Sequence, residues 1–457
     1  MDILVSINDF INGIVWGPYL LALIFGVGIY FTIRLNFFQF ARPGFLFKQT
    51  IAKAFKKKDE GPTAPGEMTS FQAAMTSVAA IVGSGNIAGV ATAIVIGGPG
   101  ALFWMIVAAL FGMASKFAEI ALGIKYREMN PDGSVEGGAM HYITKGLNAR
   151  WLGVIFSILV IPFAFVISGI VDTNTIALSV QEKFSIPTLW TGIILAVVTG
   201  IIIFGGLKRV GYACSLIAPF MGGAYLIAGI LVIVLNIKLL PAAVVTVVKG
   251  AFAPASVTGG AVGSLFLCMK NGVARGLFSN EAGLGSAAMV HSSAQVDKPI
   301  EQAVWGPVEV FLDTIVVCTI SGLSIVMSGL WQGGELDGAV LTMAAFEKLL
   351  PGSVGAYICL GAVVLFGFSC LISYYTYAER AIDFLFGASK TGKFLVKIFW
   401  LGAILVGSQT TLGVVWDIAD TCNGLMIIPN LIALLLLSKE VIAMKNDYFA
   451  EHLPVHK

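Results

Sequence analysis

The chain has 457 residues, of which 57% are apolar and 12% charged, and its mean hydropathy is +0.89. This balance excludes a soluble globular domain or a nucleic-acid binder and describes a polytopic membrane protein. The net charge of +2 is uninformative in itself; the useful quantity is where the basic residues lie.

The amino terminus reads Met1-Asp2-Ile3, with neither a basic leader nor a small-residue cleavage site. The first apolar run, 16–33, therefore reads as a retained span and not as a cleaved signal. Cutting the chain at its charged, Gly and Pro punctuation into apolar stretches of about 20 residues gives eleven spans: 14–33, 71–96, 101–126, 151–180, 188–204, 214–235, 259–290, 303–330, 354–385, 394–412 and 414–437. Charge in the connections supports that number. Arg34, Arg42, Lys48, Lys53, Lys56, Lys57 and Lys58 follow the first span, and alternate connections after it are basic as well. The other side has only Lys183, Lys238, Lys249 and Lys348. The bias places the amino terminus outside and the carboxyl terminus in the cytoplasm of a prokaryotic plasma membrane.

The first span has no polar constellation and reads as peripheral. The stretch 37–58 alternates bulky apolar and basic residues, as an amphipathic helix on the cytoplasmic surface does, although a partner-binding element has the same pattern. The second span, 71–96, is interrupted by Gly83-Ser84-Gly85-Asn86-Ile87-Ala88-Gly89. Each glycine costs a helix about 1 kcal/mol, and backbone freed in hydrocarbon costs several more. Such a break survives where it lines a polar site buried in protein. A second break stands in the seventh span, at Gly276-Leu277-Phe278-Ser279-Asn280-Glu281-Ala282-Gly283. Setting the first span aside, the other ten divide into two blocks of five, each opened by a broken span. The expected segments are 1–67, a first block at 68–240, a second at 255–440, and a tail at 441–457. Five spans per block insert the second block upside down relative to the first, with the site at their interface near the midplane.

Unwinding around 83–89 frees the carbonyls of 79–82 on one side and the N–H groups of 84–88 on the other, so a negative and a positive helix end face one small volume. A carboxylate fits the N–H end and a desolvated monovalent cation the carbonyl end. An amino acid with a co-transported cation presents that combination. A close-packing groove would explain Gly85 and Gly89 but not Asn86. In the second break, loose carbonyls could receive an ammonium group. Glu281 there is either a structural partner of Arg275 or a cation ligand or gate. Asp172, in the outer half of the fourth span, either snorkels to the external face or holds an ammonium or a second cation. Asp313, Asp417 and Asp420 read as gating or structural pairs. In the ninth span, the hydroxyls of Ser369-Cys370-Leu371-Ile372-Ser373-Tyr374-Tyr375 could complete oxygen coordination of Na⁺, while its aromatics also suit core packing. Six cysteines are scattered singly and read as small buried residues. The four histidines (His141, His291, His452, His456) avoid the span centres, which argues against a proton relay, a transition-metal site or an enzyme's nucleophile–base constellation.

These strings resemble the alanine/glycine:cation symporter family. The matching stretches are GSGNIAGVATA at 83–93, GGPGA at 97–101, RGLFSNEAGLGSA at 275–287 and FLDTIVVCT at 311–319. The likeness runs from about residue 16 to about residue 437. It implies the leucine-transporter-type fold and Na⁺- or H⁺-driven uptake of small neutral amino acids, alanine and glycine above all. It also implies that Gly83, Ser84, Gly85, Asn86, Phe165, Asp172, Phe278, Ser279, Asn280 and Tyr374 frame the substrate. Ala79, Val82, Ser369, Cys370 and Ser373 would then frame the cation. The chain departs from the family pattern where a glutamine of the fourth span is Asp172, a Ser-Thr pair is Ser369-Cys370, and a tryptophan is Tyr374.

The expectation is an all-α membrane protein of about eleven spans, with a five-plus-five inverted repeat and two discontinuous helices. It takes up an alanine- or glycine-like amino acid with Na⁺ by alternating access, uses no cofactor beyond the coupling ion, and is not an enzyme. An H⁺-coupled carrier of a larger or more polar amino acid, with Asp172 or Glu281 carrying the proton, is the alternative. A channel or facilitator is a more distant one.

Overall fold

The computed structural model describes residues 2–54, 67–129, 135–252, 260–332, 334, 336–387, 389–410 and 412–452. Lys56, Lys57, Lys58, Lys457, His456 and the expected span start at Gly259 lie outside the described residues, as do the side chains of Asp417 and His452.

Helices α1 (Asp2–Val15) and α2 (Pro18–Arg34) meet at a 43° bend, with Pro18 opening α2, where its missing N–H costs nothing. Three short helical pieces follow, Phe38–Ala41, Pro43–Gln49 and Ile51–Ala54, in place of the single amphipathic helix expected over 37–58. Pro43 is the cause: it disfavours the helical backbone at the residue before it, and Arg42 sits at φ −132°, ψ 47°. The first broken span is α3 (Ser70–Ile81), a tight turn at Ser84–Asn86, and α4 (Ala88–Gly97). Thr69 and Gln72 start α3 with reciprocal 3.1 Å hydrogen bonds, side chain to backbone in each direction.

Then come α5 (Gly100–Lys125), α6 (Ala139–Gly146), α7 (Arg150–Phe184), α8 (Thr188–Ile203), α9 (Gly206–Leu235) and α10 (Leu240–Phe252). The second broken span is α11 (Gly260–Asn280) and α12 (Ser286–His291). It is followed by α13 (Pro299–Ser328), α14 (Gly338–Leu349), α15 (Val354–Phe386), α16 (Lys390–Gly407), α17 (Leu412–Leu436) and α18 (Ser438–His452). Helices α5, α7, α9, α13, α15 and residues 418–436 of α17 are each long and apolar enough to cross a bilayer, and α1 with α2 passes as a bent pair. Helices α3, α4, α8 and α10 are apolar but shorter. In α3 and α4 the break is what divides the span.

Large apolar side chains such as Ile194 and Ile201 on α8, Phe220 and Ile227 on α9, and Phe399 on α16 are exposed, as a lipid-facing wall requires. The polar groups go inward. Lys116, Glu119, Asn280, Glu281, His291, Glu309 and Asp313 are all fully buried. Helices α5 and α11 pack closely because glycine lets them: a Cβ on Gly272 would run into the Ala101 carbonyl oxygen.

Helices α7 and α13 each contain a widened turn with i→i+5 bonding, at Phe165–Asp172 and Phe311–Cys318. A proline precedes each, Pro162 and Pro307, and a missing N–H with a bulky ring disturbs the regular ladder. Asp172 and Asp313 both lie on these turns, a frequent setting for functional groups.

Candidate functional site

The first break begins where Val82 leaves the helical region (φ −82°, ψ 85°) and Gly83 turns extended (φ −132°, ψ −155°). Asn86 folds back over it. Its Oδ1 accepts the Gly83 N–H at 2.8 Å, and its Nδ2 donates to Asp313 Oδ1 at 2.6 Å. Across the same carboxylate, Asp313 Oδ2 accepts from Ser279 Oγ at 2.8 Å and from Thr314 Oγ1 at 2.7 Å. Asn280 Nδ2 donates to Thr314 Oγ1 at 3.0 Å. Asp313 thus ties Asn86 of the first break to Ser279 of the second. Gly85 lies against Phe278, so the two breaks touch: a Cβ there would come 2.9 Å from the ring.

Asp172 is buried at 2% exposure and faces inward, which corrects the snorkelling alternative. Its Oδ1 accepts from the hydroxyl of Ser84 and, at 3.4 Å, from the Ser84 N–H. On the carbonyl side of the break, Ser369 Oγ donates to Ala79 O at 3.0 Å and Cys370 Sγ to Ala80 O at 3.1 Å. The freed carbonyls therefore meet α15. Val82 is buried and its side chain lines an apolar cavity of about 230 Å³ with Phe71, Met75 and Pro219. Ser373, one turn beyond Ser369, meets Cys214 Sγ at 3.4 Å instead of these carbonyls. Phe165 is not brought to the cluster either. It lies edge-on to Trp400, ring centroids 5.1 Å apart, while Phe163 stacks on Tyr374 at 5.5 Å. The widened turn that begins at Phe165 shifts which side chains face inward.

In the second break Glu281 takes a left-handed backbone (φ 55°), followed by Gly283 (φ 97°) and Gly285 (φ 80°), which glycine adopts without cost. Glu281 Oε2 accepts from Ser286 Oγ at 2.5 Å and from Tyr377 OH at 3.0 Å. Arg275 is not its partner, which corrects that pairing. Arg275 Nη1 bonds Asp420 Oδ1 at 2.7 Å and its guanidinium lies 4.6 Å from the Trp416 ring, which in turn packs on Phe278. Arg275 lies within α11, whereas Glu281 follows its last residue with a left-handed backbone, so the two side chains leave in different directions.

A further set of buried charges forms a cluster that sequence reasoning passed over. Lys116 Nζ lies 3.3 Å from Glu309 Oε2 and donates to Asn280 O at 3.0 Å. Glu309 also accepts from Ser77 at 2.8 Å and lies 3.0 Å from His291 Nε2. Asn430 Nδ2 joins Glu119 Oε1 (2.8 Å) to Gly283 O (2.9 Å). The available signal was Lys116 and Glu119 three residues apart inside an apolar span, a spacing that puts both on one helix face.

Both ends of the broken spans are closed. At one end stands the Arg275–Asp420 pair with Trp416 over Phe278. At the other, Met68–Thr69 pairs as a parallel strand with Ala294–Gln295, and Arg380 binds Glu67 at 2.7 Å and Ser293 at 2.8 Å. Charge reversal at Arg275 (to Glu) or at Asp420 (to Arg) is expected to cost about 3–5 kcal/mol of stability, because either sets two like charges against each other in a largely buried place. Combining the two should recover much of it, as thermal unfolding of the purified protein in detergent would show.

The sodium:alanine symporter family model matches residues 1–454. The chain belongs to the sodium:alanine symporter family. Among relatives of this symporter, the sodium/alanine symporter AgcS of Methanococcus maripaludis is 42% identical over 446 residues, covering 96% of each chain. The probable sodium/glutamine symporter GlnT of Bacillus subtilis is 36% identical over 447 residues, covering 98% of this chain and 91% of its own. The structure of MhsT in complex with L-phenylalanine aligns with a TM-score of 0.55 at 14% identity, over 83% of this chain and 92% of that one. That likeness shows a leucine-transporter-type fold. The symporter is accordingly a multi-pass membrane transporter and not an enzyme.

Proposed function

We propose that the protein takes up a small neutral amino acid together with Na⁺ by alternating access. The observation that carries this reading is the bridge from Asn86 through Asp313 to Ser279, which locks two interrupted helices back to back. Ser84–Asn86 and Phe278–Asn280, with Asp172 and Tyr374, frame the cargo in this reading. The Ala79 carbonyl and Ser369 frame the cation. That AgcS is a sodium/alanine symporter and GlnT a probable sodium/glutamine symporter supports the substrate class.

The basic connections put the Arg275–Asp420 pair on the outer side and the Glu67–Arg380 pair on the cytoplasmic side. Segments 68–240 and 255–440 are the two inverted halves, which rock around the breaks. Each closure must then open while the other holds. Cation and cargo complete the same broken helices, so each tightens the other's binding by one common factor. The membrane potential contributes about 2.3 kcal/mol per net charge per 100 mV.

Uptake of a panel of labelled amino acids into proteoliposomes tests the proposal. Saturable uptake of alanine, glycine or a similar amino acid that requires an inward Na⁺ gradient is the expected result. Equal uptake with and without the Na⁺ gradient for every amino acid would sink it. One observation favours H⁺ coupling as a second reading: Cys370 offers a thiol where a hard cation wants oxygen. Uptake that ignores Na⁺ and collapses with the pH gradient would decide for it.

A further inference from the structure

Asp172 brings a carboxyl group with one unpartnered oxygen to the first break. Its Oδ1 takes both donors of Ser84, while its Oδ2 is buried and has no hydrogen-bond partner. The nearby buried cationic side chains are committed elsewhere, Lys116 to Glu309 and the Asn280 carbonyl, Arg275 to Asp420. An ionised carboxylate left alone in a dry interior costs several kcal/mol, so this one takes up either a cation or a proton.

The carbonyl end of the same break supplies the other oxygens. Gly83 stands between them: a Cβ there would lie 3.8 Å from both Asp172 Oδ1 and the Ala80 carbonyl oxygen and would collide with Cys370 Sγ. Cys370 lies on Ala80 O and Ser369 on Ala79 O. The backbone oxygen of Asp172 packs against Gly367, three residues and so about one turn before Cys370 on α15.

We propose that Asp172 supplies a carboxylate oxygen to the coupling Na⁺, which sits between it, the Ala79 and Ala80 carbonyls and Ser369. The inference rests on the Na⁺-symport reading and deepens it. Hard cations take oxygen ligands, and the carboxylate makes good the oxygen that Cys370 does not offer. It also fixes an order of binding. The amide end of α4 already carries one carboxylate, and a cargo carboxylate brought beside it is repelled until a cation neutralises Asp172. Na⁺ therefore binds first.

Binding of radiolabelled Na⁺ to the purified full-length chain, without cargo, tests this directly. Asp172→Asn is expected to raise the half-saturating Na⁺ concentration at least about tenfold, the loss of one charged ligand. Cys370→Ser, which turns the thiol into a hydroxyl, is expected to lower it about threefold or more. Size-exclusion profiles establish that each variant is folded. If Asp172→Asn binds Na⁺ as the wild type does, the inference is overturned. Should that variant not fold, an unchanged or weakened affinity in Cys370→Ser overturns it equally. Wild-type protein whose amino-acid uptake never responds to Na⁺ instead removes the underlying symport reading.

Discussion

Replacing Asn86 by alanine is expected to abolish transport, with initial rates at least about a hundredfold below wild type. One amide serves both sides of the break: its oxygen holds the Gly83 N–H and its nitrogen holds Asp313. Alanine leaves a buried N–H and a buried carboxylate oxygen unsatisfied, at about 1–3 kcal/mol each. The chain has two ways to relieve that cost, rewinding 83–86 or drawing Asp313 off Ser279, and both dismantle the bridge between the breaks. Asn86→Asp should fare no better, since it sets a second carboxylate against Asp313. Uptake of a labelled amino acid that the wild type transports, per folded, monodisperse protein, is the measurement. An alanine variant that transports within a factor of about three of wild type would show that the bridge is ornamental.

Lys116→Met should give the largest loss of stability. Lys116 and Glu309 are fully buried, and the ammonium also caps the last carbonyl of α11 at Asn280. Removing one partner of such a pair costs about 3–5 kcal/mol, because the other charge stays behind. The double variant Lys116→Met with Glu309→Gln should melt well above either single variant, as the leftover charge is gone. Thermal unfolding of purified protein in detergent reads this out. A single Lys116→Met variant melting with the wild type would mean that Glu309 is held by His291 and Ser77 alone.

Both breaks were legible in the sequence because each violates what a lipid-spanning helix tolerates. Gly83, Gly85 and Asn86 in one, and Gly283 and Gly285 in the other, have no stabilising role in a continuous helix. Membership of the family followed from the same strings. What was not legible depends on rotation about helix axes and on distant partners. Arg275 was matched with Glu281 by nearness in sequence, whereas its partner Asp420 is 145 residues away. Phe165 was set in the site, yet the widened turn at Phe165–Asp172 turns it toward Trp400 and leaves Phe163 beside Tyr374. Helices α10 and α14 were read as plain connections, although Asp337 caps α14 by accepting from the Gly338 N–H. The Lys116–Glu309–His291 cluster joins three separate stretches of chain, and no local pattern announces it.

The widened turns in α7 and α13 each store one residue of slack. Reeling that residue back into a regular ladder would screw the downstream helix by about 100° and slide it about 1.5 Å. Asp172 and Asp313 sit on those turns, so a slip confined to a single turn is enough to swing either acid away from its partners. The two carboxylates can thus be withdrawn from the breaks and returned to them while the part of each long helix before its widened turn keeps its place in the bilayer.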